Sequence, residues 1–334
     1  MGLSCIKGIR RWFYYNLVAL IGIFLVTLTI KLNKVDKLST TLKHQNVYTF
    51  NQQWEPSTVC KPYDSFQNYD DFRITNYTSN AGTIPIFIHN PERDYVSREI
   101  KTKGAFDVHL VNKVLLELRE NIDLHLIDIG TNVGTFCLAA ALFGRRCIGI
   151  DAAQSNIQHV CASVEWLKYE SKITLIHNAL SDSHTSVEIQ INDEGDYGAI
   201  FINVDNIQKL KVKSPAFRGK SSKAIKVNTA MLDDVLSLPE ISHFRKVFIK
   251  MDVEGYEHRV LLGAKELFSK LDVHGILMEW NWHVSRESSA QIKNLLTAWG
   301  YIPVSLEDNE PLDVNNSDKW SNNIMWYPKK ENML

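Results

Sequence analysis

The stretch "IDIGTNVGTF", Ile127 to Phe136, decides the fold of this 334-residue chain. "HLIDIG" leads into it as a buried strand, and "VGTFCLAAALFG" leaves it as a helix closed by Gly144. Glycines at 130 and 134 permit a tight turn and close approach of a ligand to the backbone. The free amides of the following helix attract a carboxylate or a phosphate. The pattern is not GxGxxG: Asn132 stands in the middle place and Thr135 follows Gly134 directly. The next strand, "CIGID", ends in Asp151. An acid about twenty residues beyond a glycine turn is placed to grip a ribose diol.

Outward from this unit the chain alternates strand and helix. "IPIFIH" is a strand, and "AFDVHLVNKVLLELREN" carries a helical stripe of Val108, Val111, Val114, Leu115 and Leu118. "SNIQHVCASVEWLKYE" is an amphipathic helix and "KITLIHNAL" a strand. "SVEIQIN" and "GAIFINV" alternate at period two, as an added antiparallel hairpin does. The rhythm resumes with "KVFIKMD", a helix through Ala264–Leu271, "GILMEW" and a helix from Ser288 to Trp299. "YIPVSL" and "NNIMWYP" close the chain as strands. Repeated βα units specify an α/β fold, a mostly parallel twisted sheet with helices on both faces, over residues 84–328. Ligands bind such sheets at the C-terminal ends of the strands.

Two strand ends are heavily charged. "FIKMDVEGYEH" places Lys250, Asp252 and Glu254 after an apolar run. Period two puts these three on one side if the chain stays extended. Gly255 breaks the strand; Glu257 and His258 begin a helix, where an acid in the first turn suits the dipole. "MEWNWH" ends the next strand with Glu279 and His283, and His283 titrates in the range that suits a base. Trp280 and Trp282 offer sugar-stacking faces or core packing. Asp252 and Glu254 rank first for an acceptor site, then Glu279 and His283, with Lys250 beside them; which group takes a proton is left open.

Four ordered blocks carry a resemblance: "IDIGTNVGTF" (127–136), "HNALSD" (177–182), "VNTAMLDDV" (227–235) and "IKMDVEGYEHRVLLGA" (249–264). The first, with its acid one strand later, resembles class I S-adenosylmethionine-dependent methyltransferases. The set together resembles the FkbM methyltransferase family. This implies a Rossmann-like sheet with a reversed last strand, S-adenosylmethionine as donor, and an O-methyl product on a sugar or related hydroxyl. It implies Asp128, Gly130, Asn132 and Gly134 around the methionine part of the donor, Asp151 on the ribose hydroxyls, and Asn178, Ser181 and Asp182 by the adenine. The chain departs from the family in Asp151-Ala152-Ala153, where proline commonly follows the acid.

Trp12–Ile30 carries no charge. As a helix it would rise about 28 Å, enough to cross a bilayer. It is expected to be an uncleaved signal anchor, with a cleaved signal peptide as the alternative: residues 1–11 a cytoplasmic tail, 31–83 a lumenal stem, 329–334 a C-terminal tail. The protein is then a single-pass type II membrane protein of the Golgi or another secretory lumen. The net charge of −1 and the lack of a basic block speak against nucleic acid as partner. Cys5, Cys60, Cys137, Cys147 and Cys161 form no CxxC and no zinc spacing. Buried free thiols are expected, with a lumenal disulfide as the alternative. Asn76-Tyr77-Thr78 and Asn315-Asn316-Ser317 are glycosylation sequons.

The reading is an anchored O-methyltransferase acting on a glycan or sugar hydroxyl, with no metal assigned. Two alternatives stand beside it. One is a glycosyltransferase holding a metal at Asp252-Val253-Glu254; the other is a non-catalytic lumenal binding protein of the same fold.

Overall fold

The computed structural model describes residues 46–61, 70–192, 201–202 and 222–329. These lie in one compact unit, Asn46–Leu334. The anchor segment Trp12–Ile30 lies outside the described residues. Among the described residues no helix is long and apolar enough to cross a membrane.

The strands are β1 (Asn46–Phe50), β2 (Trp54–Pro56), β3 (Arg73–Ser79), β4 (Gly82–Ile88), β5 (Leu124–Ile129), β6 (Cys147–Asp151), β7 (Ile173–His177) and β8 (Ala179–Leu180). They continue as β9 (Ser186–Asn192), β10 (Phe201–Ile202), β11 (Ser222–Ala230), β12 (Lys246–Met251), β13 (Asp272–Glu279), β14 (Tyr301–Val304) and β15 (Asn323–Pro328). A nine-stranded sheet runs in the order β14-β15-β13-β12-β5-β6-β7-β1-β2. Its centre, β13 to β7, is parallel, while β15 runs antiparallel to β13. The reversed strand is the one the resemblance implies. β9, β10 and β11 form the added antiparallel sheet, with β8 at its edge.

Both sheet faces are covered, and alternate side chains enter two separate cores. Leu124 and Leu126 of β5 pack with helices Val108–Glu120, Thr135–Leu142 and Gln154–Leu167. Ile127 and Ile129 of the same strand pack with helices Glu257–Leu262 and Glu287–Ala298. Period-two alternation between two apolar layers explains why the central strands read as unbroken apolar runs.

The sheet extends beyond its expected start. β1 lies inside the expected stem, yet pairs in parallel with β7, Val47 against Leu175. β3 and β4 form a hairpin of their own. The helix Tyr95–Lys103 follows, its Asp94 cap accepting from the Ser97 amide at 2.7 Å and Gly104 closing it in the left-handed conformation. The free-thiol expectation is corrected: Cys60 is bonded to Cys161 and Cys137 to Cys147. Cys60 meets a partner 101 residues away, a proximity that no local spacing reveals.

Candidate active site

A cleft opens at the C-terminal ends of β5, β6, β7, β12 and β13. Its empty volume, open solvent included, is about 1180 Å³. The turn after β5 forms one wall. Gly130, Asn132 and Gly134 all have left-handed backbone, with φ of 77°, 50° and 89°. At Gly130 a side chain is excluded twice, since a Cβ would lie 1.8 Å from the Asp252 carbonyl oxygen. The β5 and β12 ends therefore touch backbone to backbone. Gly130 and Asn132 line the cleft. Gly134 instead starts the helix Thr135–Leu142 and packs near Val160.

Asp151 ends β6 at the cleft wall. Its Oδ2 accepts from the Asn132 amide at 2.9 Å and from Asn156 Nδ2 at 3.2 Å, and its Oδ1 from the Ala153 amide at 2.8 Å. Burial outweighs these bonds and pushes its pKa up to about 6. Asn178 also lines the cleft, but its amide holds β1: Oδ1 accepts from Phe50 N at 2.7 Å and Nδ2 donates to Phe50 O at 3.1 Å. Ala152, Ala179, Leu180 and Ile189 give this end a small apolar surface.

Lys250 stands at the centre. Its Nζ donates to the Gly130 carbonyl at 2.6 Å and lies 3.6 Å from both Asp128 and Asp252. Burial opposes its charge, but Asp252, Asp128, Asp151 and Asp107 outweigh burial and raise its pKa. Asp128 is fully buried beneath it and accepts from Thr131 Oγ1 at 2.7 Å. It sits beneath the lysine and is not among the residues that line the cleft; burial raises its pKa against the pull of Lys250. A carboxylate facing inward from the central strand needs such a partner.

Asp252, Glu254 and Glu279 converge, with carboxylate oxygens within 4.8 Å of one another. The chain does not stay extended to achieve this. β12 ends at Met251, and Glu254 and Gly255 turn left-handed, with φ of 56° and 95°. Burial first, then Asp252 and Glu257, raise the Glu254 pKa well above the ordinary range. Burial and the charges of Asp252, Glu254 and Glu257 do the same to Glu279. Both therefore favour the protonated, hydrogen-bond-donating form.

Other expected residues lie off the cleft. His283 is fully buried, with Nε2 2.8 Å from Glu257 Oε2 and Nδ1 2.8 Å from Ser288 Oγ. Glu257 accepts from the Val253 amide at 2.8 Å, so this acid fastens the turn to the next helix. Ser181 and Asp182 face Tyr256 and Arg259, Asp182 at 2.5 Å from the guanidinium. Trp280 is core, its indole N–H donating to Ser317 O at 2.8 Å. Conversely, Asp107, Phe106 and Val96 line the cleft without having been singled out. Asp107 stands at a helix start, where an acid reads as a cap, but its side chain caps nothing. Its backbone is left-handed, and burial, then Asp252, raises its pKa.

Residues 128–303, more than half of the chain, match the family model described as the methyltransferase FkbM domain. The chain belongs to the FkbM methyltransferase family. The matched FkbM region begins at Asp128 and holds the glycine turn, Asp151, Lys250 and the three converging acids. No curated protein matches the chain. Solved structures that it is similar to include a magnesium protoporphyrin IX methyltransferase from Synechocystis PCC 6803 with bound SAH. That match has 12% identity, 71% of this chain and 88% of that one, and a TM-score of 0.37. A precorrin-6y C5,15-methyltransferase from Geobacter metallireducens GS-15 matches at 12% identity over 67% and 88%, TM-score 0.34. A Pyrococcus abyssi tRNA (uracil-54, C5)-methyltransferase in complex with S-adenosyl-L-homocysteine matches at 15% identity over 77% of this chain and 44% of that one, TM-score 0.36. These are likenesses of fold alone.

Proposed function

We propose that the chain is an O-methyltransferase that uses S-adenosylmethionine to methylate a hydroxyl of a glycan or sugar in the secretory pathway. The observation that carries the reading is the joining of two ends in one cleft. A glycine turn with an acid on the next strand lies at one end, and a carboxylate cluster around a buried lysine at the other. The residues fit the donor: Asp151 has acceptor capacity toward the cleft, and the apolar wall suits a flat base.

S-adenosylmethionine supplies a methyl on a sulfonium, which leaves as a neutral thioether. The chain's task is in-line placement of the acceptor oxygen and removal of its proton. Asp252 accepts that proton, held by the Lys250 ammonium. Glu254 and Glu279, in their protonated forms, donate hydrogen bonds to neighbouring acceptor oxygens. Lys250 is the one cation among the described residues lining the cleft and its charge is taken by the surrounding aspartates, which favours an uncharged polyol over an anionic acceptor.

Two features support the compartment. The apolar segment Trp12–Ile30 has the length of an anchor, and the two disulfides belong to an oxidising environment. Purified full-length chain with labelled donor and a panel of released glycans, weighed after reaction, tests the whole reading. A mass gain of one methyl on a glycan is expected. Methylation of proteins or lipids alone, with no glycan product, would overturn the acceptor class.

A further inference from the structure

Asp151 is clamped from inside the protein, and the clamp can be followed away from the cleft. A carboxylate offers about four acceptor sites. The amides of Asn132 and Ala153 and the side chain of Asn156 occupy three, leaving one toward the cleft. Asn156, on the helix Gln154–Leu167, is 2% exposed. Its amide has one possible orientation: the carboxylate only accepts, so Nδ2 faces Asp151 and Oδ1 faces away. There Oδ1 lies 2.8 Å from His89 Nε2. An amide oxygen only accepts, so His89 Nε2 carries the proton.

His89 directly follows β4, is fully buried, and turns its Nδ1 toward Asp71 Oδ2 at 3.4 Å. Asp71, His89 and His159 have ligand atoms within 4.8 Å, the spacing of a metal cage. Yet the ring nitrogens of His159 face the carbonyls of Ser155 and Asp71, at 2.7 and 2.9 Å. His159, with a single N–H, donates to one of these two carbonyls and is turned onto the backbone, while Asp71, His89 and Asn156 form a line toward Asp151.

We propose that His89 and Asn156 are positioning residues for the methyl donor: His89 fixes the Asn156 amide, and Asn156 aims the Asp151 carboxylate at a ribose hydroxyl. His89 lies outside the matched family region, so the N-terminal hairpin completes a site whose other parts lie within it. The proposal rests on the reading of Asp151 as the ribose anchor.

The test is calorimetry on the full-length chain with S-adenosylhomocysteine and its 2′,3′-dideoxy analogue. A fold defect lowers both affinities; a defect in aiming Asp151 lowers only the first. Asn156→Ala is expected to weaken S-adenosylhomocysteine about tenfold, the size of one charge-assisted hydrogen bond. The dideoxy analogue should bind as before. His89→Gln, which keeps a donor toward Asn156, should behave as wild type, and His89→Leu should behave as Asn156→Ala. If Asn156→Ala fails to fold, the His89 pair decides on the same ratio. Equal weakening of both ligands, or an unchanged affinity for S-adenosylhomocysteine, overturns the proposal. A wild-type chain that binds both ligands equally would sink the ribose reading of Asp151, and the proposal with it.

Discussion

Burial holds the Asp151 carboxyl above the ordinary range, and pH exposes this. Its folded pKa is about 6 against an ordinary 3.8, chiefly through burial. Below the ordinary value both folded and unfolded chains bind the proton, and the group contributes nothing. As pH rises from there through about 6, the unfolded chain loses its proton first, and folding is disfavoured. At about 1.4 kcal/mol per pKa unit, the cost at pH 7 is about 3 kcal/mol. Asp151→Asn removes this titration. The substitution also disturbs the hydrogen bonds from Asn132, Ala153 and Asn156, but that loss is nearly independent of pH. The measurable quantity is therefore the change in the stability difference between the two proteins. Denaturant unfolding at pH steps from 3 to 7 should show the variant gaining about 3 kcal/mol on wild type over the range. In parallel, wild-type affinity for S-adenosylhomocysteine should rise through pH 6, while the variant stays weak and flat. A stability difference that does not move with pH would refute the buried-carboxylate reasoning. Moving stability with a flat wild-type binding curve would separate Asp151 from the donor.

Three further outcomes are expected. Asp252→Asn should abolish turnover while leaving calorimetric donor affinity within about twofold, since its proposed role is on the acceptor hydroxyl; unchanged turnover would remove it from the chemistry. Gly130→Ala should destabilise the protein by about 2–5 kcal/mol, from left-handed strain plus the clash with the Asp252 carbonyl; an unchanged melting temperature would contradict the backbone contact. Saturating EDTA should leave turnover unaltered, because Lys250 and the protonated glutamates already balance the acid cluster. Loss with EDTA that magnesium or manganese restores would assign those acids to a cation.

What the sequence made legible was local. The turn Gly130–Gly134 and its acid at 151 are set by glycine conformations and strand-end placement within one βα unit, so pattern suffices. Lys250 and Glu279 likewise follow from strand register. Glu254 reached the cluster by a left-handed turn that alternation does not foresee. His283 and Glu257 were ambiguous because a charged residue after a strand reads the same whether it faces a cleft or a buried partner. Asp107 was masked by its position at a helix start. The helix Tyr95–Lys103 went unread, because it is short and largely polar, which leaves its periodicity weak. β1 was missed for a different reason: its partner, β7, lies more than a hundred residues on, and only folding brings them together.

That last kind of contact decides where the domain begins. Three ties run from residues before 90 to the back of the cleft. β1 pairs with β7 and is held by Asn178, His89 reaches Asn156, and Cys60 is bonded to Cys161 on the same helix as Asn156. A chain cut at residue 84, the boundary that texture suggests, loses β1, Asp71 and Cys60 together. The Cys60–Cys161 bridge spans 101 residues and alone stabilises by roughly 4–5 kcal/mol in the chain-entropy account. That is comparable to the whole stability of a typical domain, about 5–15 kcal/mol. A chain starting near residue 40 should therefore fold cooperatively and bind S-adenosylhomocysteine, and one starting at 84 should do neither. Circular dichroism melts and calorimetry on the two lengths distinguish the cases. Equal melting temperatures and equal affinities would mean that the N-terminal strands only decorate a site that the matched region builds by itself.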